Sequence, residues 1–487
     1  MSAVSEIRIR NANPLPPKSD GKYVVYWMTA FRRISYNFAL QRAVEWSNQL
    51  NLPLVIFEAL RCDYQWASVR FHQFFIDGMR DNFAGTLGKP VVYYPYLEDK
   101  TGAGKGLLGA LAKDAAVVVV DDYPCIFLPK MVDAAANSID SKMEAVDSNG
   151  VVPLRLAART YLRAVDFRRF MQKNIRDCLT DFPEECPLDD LRISTTVRLP
   201  KTVLDRWPKA DLDRCDQRWL ASLPIDQSVS ALAIKGGSEQ ATKEMNAFVA
   251  VRLDQYQEQR RNLDQSFTSG LSPYFRFGHI SSHQVVLEVL KRERWSPAKM
   301  AEKSKGSSSD YWGTSAAAEA FLDELITWRE IGFNMSSREG NYQEFESLPE
   351  WAQKTLVEHQ ADVRPNVYQM EEFETAKTHD DLWNAAQRQL VREGRIHNYM
   401  RMVWGKKILH WSRDPKSALE IMIHLNNKYA IDGRDPNSYS GIFWILGRYD
   451  RAWGPERKIF GKIRYMSEEN TRKKLSVGNY LKTYASF

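Results

Sequence analysis

The sequence predicts two architectures in succession: a doubly wound, Rossmann-like parallel sheet, then an all-helical region. Three observations carry this. Short apolar runs alternate with helix-like runs over residues 22–150. From residue 237 onward the runs are longer and keep helical spacing. Between them, residues 151–236 are mixed and hold Pro153, Pro187, Pro200, Pro208 and Pro224. Strands that are apolar throughout belong in a parallel sheet covered on both faces, and such a sheet binds ligands at the carboxyl ends of its strands.

Residues 1–21, rich in Pro, Asn and Ser, are expected to form a flexible leader. Strands are expected at 22–28, 53–58, 90–94 and 116–121, with a shorter one at 143–147. Helices fall between them at 36–49, 71–87, 107–112 and 130–138. This gives an α/β domain over 22–150, an interdomain connector over 151–236 and a helical domain over 237–487. The helical domain should contain helices at 238–264, 281–291, 316–331, 350–360, 379–394, 397–411 and 415–429. The polar run 301–310 (AEKSKGSSSD) reads as a mobile surface loop.

Composition excludes several classes. The chain has 487 residues, 44% of them hydrophobic, enough for two or three cores. No apolar run approaches the ~18 residues of a membrane span, and no secretory h-region is visible. Five scattered cysteines (62, 125, 178, 186, 215) lack a metal spacing, so reduced thiols, no metal and a cytoplasmic chain are expected. Residues 391–487 hold 19 Lys+Arg against 9 Asp+Glu, a net +10, so the remainder carries about −4 of the total +6. A basic, aromatic-rich end fits a polyanion, and nucleic acid is the natural one. TGAGKG (101–106) is not a phosphate loop: it has Asp99 where a Walker loop needs Gly, and Gly106 where it needs Ser or Thr.

The richest stretch runs from Asp381 to Trp444. Residues 397, 401, 404, 408 and 411 share one helical face, polar at one end and aromatic along its length. Upstream, Thr268, Ser269, Gly270, Leu271 and Ser272 precede an aromatic helix; alone they describe a helix cap. Glu324 lies in an apolar helix with Trp328 one turn on; alone it is an acid on an amphipathic helix. Arg401 and Asp432 could be an interhelical salt bridge, and with fourteen tryptophans aromatic spacing alone decides little.

The motifs REGRIHNYMRMVWGKKILHW (392–411), NNKYAIDGRDPNSY (426–439), KTHDDLWNAAQ (377–387), FGKIRYM (460–466), TSGLSPYFRFGHIS (268–281) and ELITWRE (324–330) resemble the photolyase/cryptochrome family. The resemblance is closest to the class II cyclobutane pyrimidine dimer photolyases. It implies a light-driven DNA repair lyase that uses FAD in its reduced, anionic form. Tyr256, Thr268, Ser269, Gly270, Leu271 and Ser272 would hold the FAD phosphates and ribitol. Arg401 and Asp432 would pair beside the isoalloxazine, with Asn398, Asn426, Gly433 and Arg434 completing the cofactor site. Asn426 is the class II residue; class I members place an asparagine where this chain has Ser438. Glu324 would contact the dimer, and Asn398 and Met402 would line the pocket.

By the same resemblance Trp404, Trp383 and Trp411 form an electron-transfer triad, with Trp404 nearest the flavin and Trp411 nearest solvent. Trp328, Trp444, Arg451 and Arg464 would meet UV-damaged DNA, joined by Arg457, Lys458 and Lys462. The α/β domain would be an antenna domain able to hold a deazaflavin or folate pigment. The expected protein is a monomer, without membrane contact, nucleoid-associated in a bacterium or archaeon. Alternatives on the same residues are a cryptochrome-like photoreceptor, a (6-4) photoproduct enzyme, disfavoured by Met402, and a flavin oxidoreductase, for which no nicotinamide site is found.

Overall fold

The computed structural model describes residues 3–486. The chain divides into two compact units: Met1–Ala158, Ile175–Asn246 and Leu271–Glu288 make one, and Arg159–Asn174, Ala247–Gly270 and Val289–Phe487 the other.

The first unit is built on six strands: β1 (Ile9–Asn11), β2 (Tyr23–Met28), β3 (Leu54–Leu60), β4 (Val91–Leu97), β5 (Ala115–Asp121) and β6 (Lys142–Val146). They lie in the order β1-β6-β5-β2-β3-β4. Every neighbouring pair is parallel except β1 on β6, where Ile9 faces Val146. Helices α1 (Phe38–Leu50), α2 (Val69–Thr86), α3 (Leu107–Ala112) and α4 (Leu128–Ala136) connect them. Asn37 starts α1 by accepting the free N–H groups of Ala39 and Leu40. Both sheet faces are buried in separate apolar cores, one holding Val25, Val55, Val118 and Leu111, the other Val24, Ile56, Val117 and Leu40. The chain steps outward from β2 to β4, then returns to β5 on the other side of β2. The order therefore reverses at the carboxyl ends of β2 and β5. There Asp121 accepts N–H bonds from Thr29 (2.7 Å), Ala30 (2.7 Å) and Phe31 (3.0 Å), and the Tyr26 hydroxyl at 2.8 Å.

Two boundaries differ from the sequence expectation. The leader at 1–21 contains β1, and Arg8 beside it is fully buried, donating to Asp181 and to the Gly150 and Val151 carbonyls. A three-residue edge strand is too short to show a period, which is why composition hid it. The connector at 151–236 is not a passive link. Leu199, Val203 and Trp207 pack into one sheet core, and Cys215, Leu220, Leu223 and Ile225 form a further cluster with α2. Part of the expected helical domain, residues 237–246 and 271–288, also belongs to the first unit.

The second unit is helical. Its main elements are α5 (Ala316–Leu322), a π-helical segment (Asp323–Trp328), α6 (Arg329–Arg338), α7 (Asp381–Glu393), α8 (Asn398–Trp411), α9 (Pro415–Tyr429) and α10 (Pro436–Ile445). Asp380, Asp414 and Asp435 cap α7, α9 and α10, and Gly394 ends α7 at φ 66°. α7 packs on α8, and α8 on α9 and α10. Gly405 permits the last approach, because a Cβ there would sit 2.1 Å from the Ile445 side chain. The helix expected over 238–264 is broken: a π-helical segment (Phe248–Arg252) and a 3-10 turn (Leu253–Gln255) interrupt it. The expected mobile loop 301–310 is tied down, with Gly306 donating to Gln172 and accepting from Arg168. Among the described residues, no helix is long and apolar enough to cross a membrane.

Candidate flavin and lesion site

The α7–α8 pair brings the three motif tryptophans together. Trp383 stacks on Trp404 with centroids 6.4 Å apart and planes 5° from parallel. On its other side it meets Trp411 edge-on at 6.2 Å. Two hydrogen bonds fix the rings: Trp383 Nε1 donates to the Trp404 carbonyl, and Trp404 Nε1 to Gln387 Oε1, each at 3.0 Å. Trp411, expected nearest solvent, is only 1% exposed. Tyr368 (5.9 Å), His379 (4.8 Å) and the Lys407 ammonium (4.9 Å) cover it. The Tyr368 hydroxyl accepts the His379 backbone N–H at 3.0 Å and shares a hydrogen bond with His379 Nδ1 at 2.7 Å.

On α8, Asn398 is exposed and Arg401 and Met402 are half-buried. Arg401 Nη2 reaches both Asp432 oxygens, at 3.0 and 3.2 Å. Its Nε and Nη1 meet no protein acceptor among the described residues. The turn that presents Asp432 needs Gly433, whose Cβ would fall 2.6 Å from the Asn426 carbonyl. Arg434 follows in the left-handed region and is buried, its N–H bonded to Asn427. Asn426 is buried, and its amide donates to Ser438 Oγ at 3.3 Å.

Glu324 sits in the π-helical segment and accepts from Arg260 Nη1 at 2.8 Å. Burial pushes its carboxyl up, and Arg260 pulls the other way. Arg260 also lies over the Tyr256 ring, and its carbonyl accepts from His397 Nε2. Trp328, four residues on, has Arg168 over its face at 6.0 Å, and Arg168 forks onto Asp323 at 2.6 and 2.8 Å. Of the TSGLS run, Thr268, Ser269 and Gly270 are half-buried, while Leu271 is fully buried and can offer a ligand only its backbone. The helix after it is five residues long and begins at Ser272, with Leu271 in the cap position.

Trp444 is half-buried, with Arg464 at 5.8 Å from its ring. Arg464 also lies 5.0 Å from Trp453, whose other cationic neighbour is Arg451 at 4.7 Å. The loop carrying these groups is anchored by Thr355, which accepts the Lys462 N–H, and by Asp362, which accepts that of Ile459. Arg260, Gln387, Tyr368 and Trp453 escaped the sequence reading. Arg260 lies 64 residues from Glu324, and Gln387 and Tyr368 meet their ring partners from another helix or loop, so no local period marks them. Trp453, among its own loop neighbours Asp450, Arg451 and Arg464, has no regular period either.

Against curated proteins, the chain is 33% identical over 475 residues to a deoxyribodipyrimidine photo-lyase of Methanothermobacter thermautotrophicus, covering 97% of each. It is 31% identical to one from Potorous tridactylus (94% of this chain, 80% of that one) and 32% to one from Oryza sativa (97% and 89%). The chain belongs to the deoxyribodipyrimidine photo-lyase family. No family model matches it. The fold also matches a solved bacterial class III photolyase from Agrobacterium tumefaciens, with a TM-score of 0.67 over 97% of this chain and 88% of that one, at 16% identity. That likeness concerns the fold, a Rossmann-like sheet with a helical region, and agrees with the photolyase family. Nothing in these comparisons favours a cryptochrome-like photoreceptor.

Proposed function

We propose that this chain is a light-driven lyase of class II that splits cyclobutane pyrimidine dimers in UV-damaged DNA. Membership of the photo-lyase family supports the reaction, and the family is flavin-dependent. The observation that carries the cofactor assignment is Arg401: a half-buried guanidinium fixed by Asp432 through one nitrogen, with two donor nitrogens left for an anionic ring. Such a residue fits a reduced, negatively charged FAD. When bound, that flavin supplies one electron under blue or near-UV light and takes it back, leaving no net oxidation.

The remaining work falls to the chain's own residues. Asp432 holds Arg401 in register, while Asn426, Asn398, Gly433 and Arg434 shape the ring's surroundings. Tyr256 and residues 268–272 take the phosphates and ribitol. Glu324, its proton affinity raised by burial, offers a hydrogen bond to a dimer carbonyl, and Arg260 sets its position. Met402, Trp328 and Trp444 provide apolar faces for a flipped dinucleotide, and flipping is cheapest at a poorly stacked lesion. Arg451, Trp453 and Arg464 would fill the duplex gap or hold its phosphates. Asn426 together with Trp328 four residues after Glu324 supports class II.

The contiguous Trp404–Trp383–Trp411 series, one pair stacked and the other edge-on, supports a wire for photoreduction, continuing to Tyr368 at the solvent side. Trp404→Phe tests it. Oxidised FAD in that variant should no longer be photoreduced by an external donor, while chemically reduced variant should still repair dimers. Survival of photoreduction in both Trp404→Phe and Trp383→Phe removes the wire. The absorption spectrum of purified protein decides between a deazaflavin antenna, a folate antenna and none, and its elution volume tests the monomer.

A further inference from the structure

Lys406 lies in the middle of α8 and is 1% exposed. Its Nζ donates to the Ile445 carbonyl at the end of α10 and sits 5.3 Å from the Trp444 ring centroid. Among the described residues no carboxylate lies within ion-pair distance of it. An ammonium has three N–H donors, and a buried cation with one neutral acceptor is costly. A Leu or Met would pack α8 against α10 without that cost. What the amine adds is a charge against an aromatic face and a cap on the last turn of α10, where the helix dipole favours a cation. Both effects act on residues 444 and 445.

We propose that Lys406 is a positioning residue for lesion docking: it holds the Trp444 ring from inside the protein so that the opposite side of that ring is presented to a flipped pyrimidine dimer. This rests on the assignment of Trp444 to the lesion pocket. The charged groups that face the amine are Asp450, which favours its charged form, and Arg464, which opposes it. Burial is the larger influence and brings the amine down to about 7. The hold on Trp444 is therefore strongest below neutrality and weakens as pH rises. Damaged-DNA affinity, taken relative to undamaged DNA to cancel phosphate effects, should follow the same curve.

The test measures binding in the dark, by fluorescence anisotropy, of flavin-loaded wild-type protein, Lys406→Met, Trp444→Ala and the double variant to a labelled duplex with one thymine dimer. Wild type should lose selectivity for the dimer between pH 6 and 8.5. Lys406→Met, nearly isosteric, should lower dimer affinity about tenfold at pH 6 and flatten the curve. In the Trp444→Ala background the same change should have little effect, because the ring it positions is gone. An equal loss in both backgrounds means a merely structural lysine and overturns the proposal. So does wild-type affinity in Lys406→Met, or, if that variant fails to fold, a flat wild-type selectivity curve. Full dimer affinity in Trp444→Ala overturns the pocket reading itself, and the proposal with it.

Discussion

Two buried carboxylates of the sheet unit, Asp121 and Glu58, and the charged groups of the candidate site in the helical unit are treated differently. In the sheet unit, Asp121 is saturated by three backbone N–H groups and a tyrosine hydroxyl. Glu58 nearby is likewise filled, by Arg32 (2.9 Å), Asn82 (2.9 Å) and Tyr93 (2.6 Å). In the helical unit, Arg401 spends one nitrogen on Asp432, Glu324 and Arg260 meet at the edge of solvent, and Lys406 has a single acceptor. Saturated networks fix a fold. Charges held in place with capacity to spare are arranged for something that arrives later.

That contrast can be broken by substitution. Asp121→Ala strands three buried N–H donors, so it should cost roughly 3 kcal/mol or more. The measurement is the chemical-denaturation midpoint, and the folded fraction should keep its full complement of FAD. Asp432→Ala or Arg401→Ala should do the reverse. Both partners are partly exposed, at 13% and 19%, so folding should suffer less than for a fully buried pair. Flavin affinity should fall about 10- to 100-fold, read from the flavin-to-protein absorbance ratio, because a charge-assisted bond is lost. Equal effects of the two substitutions on stability and flavin content would erase the distinction.

The third prediction concerns pH. The Lys406 amine is near 7 when folded and near 10.5 when exposed. The unfolded chain therefore binds that proton more tightly, and stability should rise as pH climbs from about 7 toward 10.5. The slope is at most about 1.4 kcal/mol per pH unit. Lys406→Met should lack this contribution, and urea titrations at pH 7 and 9 would show it. The smallest effect is expected at Glu324. Glu324→Gln keeps a hydrogen-bond donor and should keep most of the repair per absorbed photon, whereas Glu324→Ala should lower it. Unchanged repair in Glu324→Ala would remove the residue from the pocket.

Much of this was legible in the sequence, and the failures have a common cause. The α8 face could be read because helical spacing puts 397, 401, 404, 408 and 411 together. Strands β2 to β5 could be read because each is a short, largely apolar run, while β6 (Lys142–Val146), with Lys142 and Glu144 in it, gave only a weaker signal. β1 could not, since three residues at a sheet edge carry no pattern. The 151–236 segment looked like a linker because its short helices bury only a few side chains each, and Trp207 or Leu220 finds its core only in three dimensions. Arg260 was missed because it meets Glu324 across 64 residues of chain, and Trp453 because its irregular loop carries no period. The burial of Trp411 follows from Tyr368 and His379, which precede it by more than thirty residues.

The central claim is that the open charges of the helical unit serve a reduced flavin facing a dimer. It is tested most directly by illuminating purified, flavin-loaded, chemically reduced protein with an oligonucleotide bearing one thymine dimer, and following the dimer by chromatography. The account predicts loss of the dimer and recovery of two thymines in blue or near-UV light, none in the dark, and no net consumption of reductant. A protein that binds and holds reduced flavin, binds the oligonucleotide and leaves the dimer intact under light would contradict it.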